Sequence, residues 1–539
     1  MRRWNGWGDD GIVVTLDARA LEFLRERIGA AQPFRDATLA EACSHIGASR
    51  LPPHRLVDTA PETRLRCALG QSLPDWLRLR YGRIDTAPDG VAYPESGEQV
   101  RELLAYARGS AAAVIPYGGG TSVAGQLTVP GGKQAVLSLN LSRLSQFIEL
   151  DSKARLARFG AGIAGPDLEA QLRAQGYTLG HFPQSFEYST LGGWIATRSS
   201  GQQSLRYGRI EQLFAGGKME TPSGTLQLPT FPASAAGTDM REMVLGSEGR
   251  LGIITEACVR VTPLPEREAF HAIFFPDWAR GEDAVRAIAQ ARLSLSLLRL
   301  SNATETLTTL TLAGHARMVG LLQRYLSLRG CREQQCLLLL GASGRRAEVA
   351  AALAQAFAIA RGRQGVHIGR MLGKKWKQNR FRGVYLRNTL WQHGYAVDTA
   401  ETAVDWPRVG GMMEAIEQAA TAALAAQGER LHTYTHLSHL YAQGASVYST
   451  FVWRLAGDYQ TDFARWRALK TAVCVAIVAN GGTISHQHGV GTDHAPYLAA
   501  EKGELGIGAM RALLRHFDPQ GMMNPGKLLP PQCREPAAK

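Results

Sequence analysis

The chain has 539 residues, 45% of them hydrophobic and 20% charged, with a formal net charge of +13. That length predicts about two or three domains with sizeable cores, and the apolar content excludes a disordered or fibrous chain. The positive charge admits an anionic substrate or an acidic membrane surface, but no basic and aromatic interleaving marks a nucleic-acid module, so no nucleic-acid partner is expected.

The N-terminus, "MRRWNGWGDDG", has two arginines without an apolar run behind them, so it is read as neither a Sec nor a twin-arginine signal. No stretch of about 18 apolar residues occurs, so no membrane span is predicted. Seven scattered cysteines read as reduced thiols of a cytoplasmic protein. Cys331 and Cys336 form the one close pair, with no second pair to complete a zinc site.

Residues 1–85 carry helix-period segments such as "ALEFLRERIGAA" and predict an N-terminal helical extension. From about 86 to 265, short apolar strands punctuated by Gly and Pro alternate with helical "GEQVRELLAYARG", which predicts an α+β domain. Residues 266–480 predict a mixed α/β domain of longer helices with occasional strands. In "MMEAIEQAATAALAAQG", Met413, Ile416, Ala420 and Leu424 recur at helical spacing and Gly428 supplies the stop. Residues 481–539 return to glycine-rich loops and end in a helix followed by a turn.

Three segments carry ligand-binding chemistry. "VIPYGGGTSVAG" follows an apolar strand, and Gly118, Gly119 and Gly120 free the backbone to turn successive N–H groups toward one point. Such a concavity suits a pyrophosphate, and Thr121 and Ser122 add hydroxyls. It is neither G-x-G-x-x-G nor a P-loop, so a nucleotide site of another kind is expected. "PQSFEYSTLGGWIATRSSGQ" and "GSEGRLGIITEA" supply further hydroxyls and glycine turns, and the three together predict a long polar slot for an extended dinucleotide.

These segments, with "ISHQHGVG" after them, resemble the FAD-linked oxidases of the vanillyl-alcohol oxidase type. "RRWNGWG", "YLRNTLWQHGYAVDTAETAVDWPRV" and "HFDPQGMMNPGKLL" extend the resemblance to the alkylglycerone-phosphate synthase branch over nearly the whole chain. The resemblance implies a two-subdomain PCMH-type FAD-binding domain over 86–265 and a substrate (cap) domain over 266–480, with the C-terminal segment returning to the flavin site. It places FAD on Pro116, Tyr117, Gly118, Gly119, Gly120, Thr121 and Ser122, and on Gln184, Ser185, Phe186, Glu187, Tyr188, Ser189 and Thr190. Thr197, Arg198, Ser199 and Ser200 belong to the same set, and Glu248, Gly249, Arg250, Leu251, Gly252, Ile253 and Ile254 complete it. Gly120 and Thr121 stand where some relatives carry a flavin-tethering histidine, which implies non-covalent FAD. Arg387 matches the arginine that holds the substrate phosphate, Tyr448 the acid–base tyrosine, and Arg299 another arginine needed for activity.

His486 and His488 are the remaining candidate catalytic residues, since an imidazole exchanges protons near neutral pH. Where that branch has three consecutive histidines, this chain has Gln487 in the middle, which cannot titrate. His432, His436 and His439 form a second cluster without a carboxylate among them, so no metal is expected. The first reading is exchange of the acyl group of acyl-dihydroxyacetone phosphate for a fatty alcohol. The second is an FAD-dependent dehydrogenase of a D-2-hydroxy acid or polyol phosphate, with Arg387 on the acid group. The basic run "KKWKQNRFR" (374–382) is expected to guide an anionic lipid or to rest peripherally on the inner face of a membrane. A homodimer is a further expectation.

Overall fold

Three larger sheets organise the computed structural model, which describes residues 1–312 and 316–530. Cys533 lies outside the described residues. Strands β1 (Val57–Asp58), β2 (Gly90–Ala92), β3 (Ala113–Tyr117) and β4 (Val136–Asn140) form the first sheet in the order β1-β2-β4-β3. The pairs β2–β4 and β3–β4 are parallel, and helix Gly97–Gly109 makes the crossover from β2 to β3. Ser96 caps that helix, and its Val100, Leu103, Leu104 and Ala107 face the core, matching the spacing read from the sequence. β1 lies in the stretch expected to be a helical extension, yet it pairs with β2.

Seven strands follow: β5 (Phe147–Asp151), β6 (Leu156–Gly160), β7 (Tyr177–Thr178), β8 (Phe214–Thr221), β9 (Gly224–Leu228), β10 (Ile253–Arg260) and β11 (Thr262–Pro263). Five make an antiparallel sheet in the order β5-β6-β10-β8-β9, and β7 pairs with β11.

The third sheet gives the mixed α/β region 266–480 more strand than the occasional strands read from its sequence. β12 (Arg267–Phe275), β13 (Leu297–Ser301), β14 (Cys336–Gly344), β15 (Val366–His367), β16 (Tyr395–Asp405), β17 (His432–Leu440) and β18 (Gly444–Arg454) form one sheet, ordered β15-β12-β14-β13-β17-β18-β16. Leu338 and Leu340 of β14 pack with Val285, Ile288, Val349 and Ala352 of two helices on one face. Leu337 and Leu339 pack with Phe270, Phe274, Leu310 and Leu326 on the other. Covered on both faces, β14 carries a continuous apolar run over 337–340 instead of alternation, so period two is absent from that stretch. Burying each such leucine contributes about 1.5–3 kcal/mol.

Helix Val409–Ala425 turns Met412, Ile416, Ala420 and Leu424 inward, whereas Met413 is only partly buried. The first eighty residues strap the sheets together. Trp7 and Asn388 exchange two hydrogen bonds, and Arg80 reaches both Asp36 and Asn388.

Candidate active site

A cavity of about 660 Å³ runs between the first two sheets and the third. Its flavin-side wall is the glycine loop that leaves β3. Gly120 has φ +64°, and a Cβ on Gly119 would strike the Tyr188 carbonyl, so only glycine lets the two loops meet. Among the described residues no backbone carbonyl accepts from the amides of Gly119, Gly120, Thr121 and Ser122. Ser122 Oγ, Ser200 Oγ, Gln487 Oε1 and Asn524 Oδ1 line the same cavity and are buried without a hydrogen-bond partner among the described residues. Orphaned donors and acceptors of this kind are costly unless a ligand satisfies them. A polar dinucleotide such as FAD fits that set.

Of the residues assigned to the slot, Pro116, Gly118, Gly119, Gly120, Thr121, Ser122, Gln184, Ser185, Ser189, Thr190, Thr197, Ser199, Ser200, Glu248, Gly249, Gly252, Ile253 and Ile254 line the cavity. Seven do not, and each has another place. The Tyr117 hydroxyl donates to the Arg66 carbonyl, Phe186 stacks on Phe381, and Leu251 is in the core. Tyr188 packs edge-on against Trp7, and Arg198 ends a helix in the left-handed region and pairs with Glu242. Arg250 donates to the carbonyls of Met523 and Asn524, while the neighbouring Glu187 is half-buried outside the lining.

Arg387 lines the same cavity beside the glycine loop, joined to it through Gln71, whose amide donates to the Ser122 carbonyl at 2.7 Å. Its guanidinium lies 4.1 Å above the Trp76 ring and donates from Nη1 to the Gln71 carbonyl at 2.7 Å. Nε and Nη2 are buried with no acceptor. Burial lowers its pKa to about 10, so it remains a cation at neutral pH. A cation with two unused donors is a receptor for phosphate or carboxylate. Arg299 differs: its Nη2 donates to Glu305 at 2.7 Å and lies 3.3 Å from His436 Nδ1. Burial works against the Glu305 charge, but His436 and Arg299 outweigh it and bring the pKa down to about 2. Arg299 lines the cavity with its charge already balanced.

Tyr448 lies between two imidazoles, stacked on His436 at 4.9 Å and edge-on to His488 at 5.6 Å. Burial pushes its phenol up to about 12, so at neutral pH it is a proton donor. His488 and Gln487 line the cavity; His486 does not. Nε2 of His486 is 2.6 Å from Arg209 Nη1 and 2.6 Å from the Tyr441 hydroxyl. This corrects the expectation of two catalytic imidazoles in the loop.

The second histidine cluster separates into individual roles along β17. His432 pairs with Thr308, His436 with Arg299 and Glu305, and His439 donates toward the Gly201 carbonyl. The basic run 374–382 lies mostly on the helix Met371–Asn379, with Lys374, Lys377 and Arg382 exposed. Lys377 pairs with Glu268 of β12, and Trp376 and Arg380 line the cavity. Three lining residues carried no signal in the sequence: Trp76, on the buried helix Leu73–Arg80, Gln71, just before that helix, and Asp398 on β16.

Residues 88–228 match the family described as FAD binding domain, and residues 264–528 match FAD linked oxidases, C-terminal domain. The alkyldihydroxyacetonephosphate synthase of Dictyostelium discoideum is 32% identical over 474 residues, covering 87% of this chain and 77% of that protein. The chain belongs to the alkyldihydroxyacetonephosphate synthase family. The synthase of Caenorhabditis elegans is 30% identical over 87% of this chain and 81% of its own length. A solved structure of an alkyldihydroxyacetonephosphate synthase superposes with a TM-score of 0.83 at 26% identity, over 97% of this chain and 98% of that one. Membership in the alkyldihydroxyacetonephosphate synthase family makes FAD the cofactor and this protein an enzyme.

Proposed function

We propose that this enzyme exchanges the acyl group of an acyl-dihydroxyacetone phosphate for a fatty alcohol, giving the alkyl ether and a free fatty acid. The observation that carries the reading is Arg387, a buried cation with two donors unused among the described residues, lining the same cavity as the glycine loop. A phosphate on Arg387 directs the three-carbon unit toward Tyr448 and His488. Leu297, Trp376, Val384, Leu390 and Val397 give the cavity an apolar lining for a hydrocarbon chain.

The glycine loop, Ser122, Ser200 and Asn524 hold FAD non-covalently. FAD, when bound, supplies a ring that takes part without net electron transfer. The rest falls to side chains. Tyr448, protonated at neutral pH, donates a proton toward the departing carboxylate. His488, whose pKa burial lowers, is available as a base for the incoming hydroxyl. The carbon–oxygen bond to the acyl group breaks, one to the alcohol forms, and the alcohol proton balances the released acid.

The lipid is taken up at a membrane surface. Helix Ala316–Leu328 exposes Met318, Leu321, Tyr325 and Leu328 on one face, with exposed Arg317, Arg324 and Arg329 beside them. An exposed apolar stripe flanked by arginines suits an anionic bilayer. It follows the helix Ala303–Leu312, whose Glu305 lines the cavity.

The test of the activity is anaerobic mixing of the FAD-loaded enzyme first with D-lactate or glycerol phosphate and then with the acylated ketone phosphate plus fatty alcohol. The proposal expects no bleaching in the first step and ether formation in the second. Bleaching without ether formation supports hydride transfer from a hydroxy acid instead.

A further inference from the structure

The loop that presents His488 has no regular structure of its own, so something else must hold it. Two buried carboxylates do. Glu248, from the flavin-side wall, accepts from the amides of Val490 at 2.6 Å and Gly491 at 2.8 Å. Glu401, from the middle of β16, accepts on one oxygen from Ser485 Oγ at 3.0 Å, the Gln487 amide at 2.7 Å and the His488 amide at 2.9 Å. Its other oxygen lies 3.4 Å from His486 Nδ1, and the first lies 3.9 Å from His488 Nδ1. Glu401 is only 2% exposed and stands directly opposite Tyr448 in the β16–β18 register.

We propose that Glu401 is a positioning residue, holding the Gln487–His488 edge of the loop against the cavity and setting the charge that the His488 imidazole faces. It rests on the alkyl-exchange reading for its kinetic consequence, but not for its structural one.

Chemistry supports both halves. A lone buried carboxylate without partners becomes protonated. Here burial opposes the charge, yet the two imidazoles and the Gln487 amide outweigh it and hold Glu401 well below the usual carboxylate range. An anion therefore sits inside the loop at working pH. The Glu248 amide pair fixes one end of the loop and Glu401 the other, so the imidazole between them has little freedom. The groups that act on His488 come from four elements. Glu401 and Asp398 lie on β16, Tyr448 on β18, Lys470 on helix Tyr459–Ala479, and His486 in the loop itself. Burial and Lys470 disfavour its protonated form; Glu401 and Asp398 favour it.

The test uses full-length, FAD-loaded Glu401→Gln, which keeps an acceptor oxygen but not the charge. The His488 ring resonance, assigned by its loss in His488→Gln, reports its titration directly by NMR without any substrate. The expected result is a midpoint moved to lower pH, with kcat for ether formation reduced on the order of 10- to 100-fold and KM for the acyl substrate little changed. A midpoint and a kcat both at wild-type values overturn the proposal. A shifted midpoint in a wild-type background that makes no ether leaves Glu401's role standing and removes the alkyl-exchange reading. Should Glu401→Gln not fold, Glu401→Asp decides: it keeps the charge at shorter reach, so the midpoint should stay and kcat should fall. A wild-type kcat in that variant overturns the proposal.

Discussion

His486 Nε2 receives the Arg209 guanidinium at 2.6 Å, and an arginine nitrogen can only donate. That nitrogen is therefore an acceptor, and neutral His486 carries its proton on Nδ1, toward Glu401. His486→Gln should retain activity within about tenfold, whereas His488→Gln should lose on the order of 100-fold or more in kcat. Steady-state kinetics on both variants, checked for equal flavin content, decide between the two imidazoles.

Acid stability follows from buried histidines outside the reaction. Burial lowers the pKa of His181, which is bonded to Ser199 Oγ, to about 3. The unfolded state regains a value of about 6.5. The folded state thus binds fewer protons in this window, so stability is present above the unfolded value and falls as pH drops toward the folded one. At pH about 5 the loss from this residue is about 2 kcal/mol. His181→Asn should shrink the fall in Tm between pH 7 and 5, read by thermal scanning. An unchanged fall would contradict the assignment.

Arg387 separates binding from folding. Losing two charge-assisted hydrogen bonds to a phosphate should cost roughly 100-fold in kcat/KM in Arg387→Met. Stability should not fall in step, because the side chain has no carboxylate within salt-bridge reach and methionine keeps contact with Trp76. Arg387→Lys should remain well below wild type, since a point charge cannot replace the planar fork. Kinetics and Tm measured on the same preparations test both statements.

Gln487 lines the cavity beside His488, and its side-chain Oε1 has no partner among the described residues. The amide N–H that Glu401 accepts belongs to the backbone, so Gln487→His leaves the clamp intact. Ether formation should persist or rise in that variant. Complete loss in a folded, yellow protein would show that the glutamine side chain itself takes part.

Leu321 and Leu328 are 70% and 86% exposed on helix Ala316–Leu328. Replacing both with glutamate should abolish sedimentation with anionic vesicles and leave activity on detergent-dispersed substrate unchanged. Loss of a dimer in solution, with vesicle binding intact, would instead assign this face to a second copy of the chain.

Glycine made the flavin-side wall legible. A side chain on Gly118 would meet the Thr190 hydroxyl, one on Gly119 the Tyr188 carbonyl and one on Gly120 the Tyr117 hydroxyl, and that requirement is written into the sequence. The other two slot segments reach into the core at Phe186 and Leu251, apolar residues beside the site. Glu401 had no signal at all: it is one acid in "DTAETAVDW", and its importance comes from a loop more than eighty residues later. In the seven-stranded sheet β14 was hidden for a physical reason too, since a strand covered on both faces loses the alternation that marks a strand. His486 and His488 differ by two positions and by nothing in residue type. Arg209 and Tyr441, brought in from afar, tell them apart.

The central claim is a redox-neutral exchange in this cavity. Its most direct measurement is the yield of alkyl ether and of free fatty acid from purified enzyme, acyl-dihydroxyacetone phosphate and a fatty alcohol under nitrogen, with the flavin spectrum followed throughout. The prediction is equal amounts of ether and acid over many turnovers, with the flavin oxidised at the end. Acid released without ether, or turnover that stops once the flavin has bleached, would contradict it.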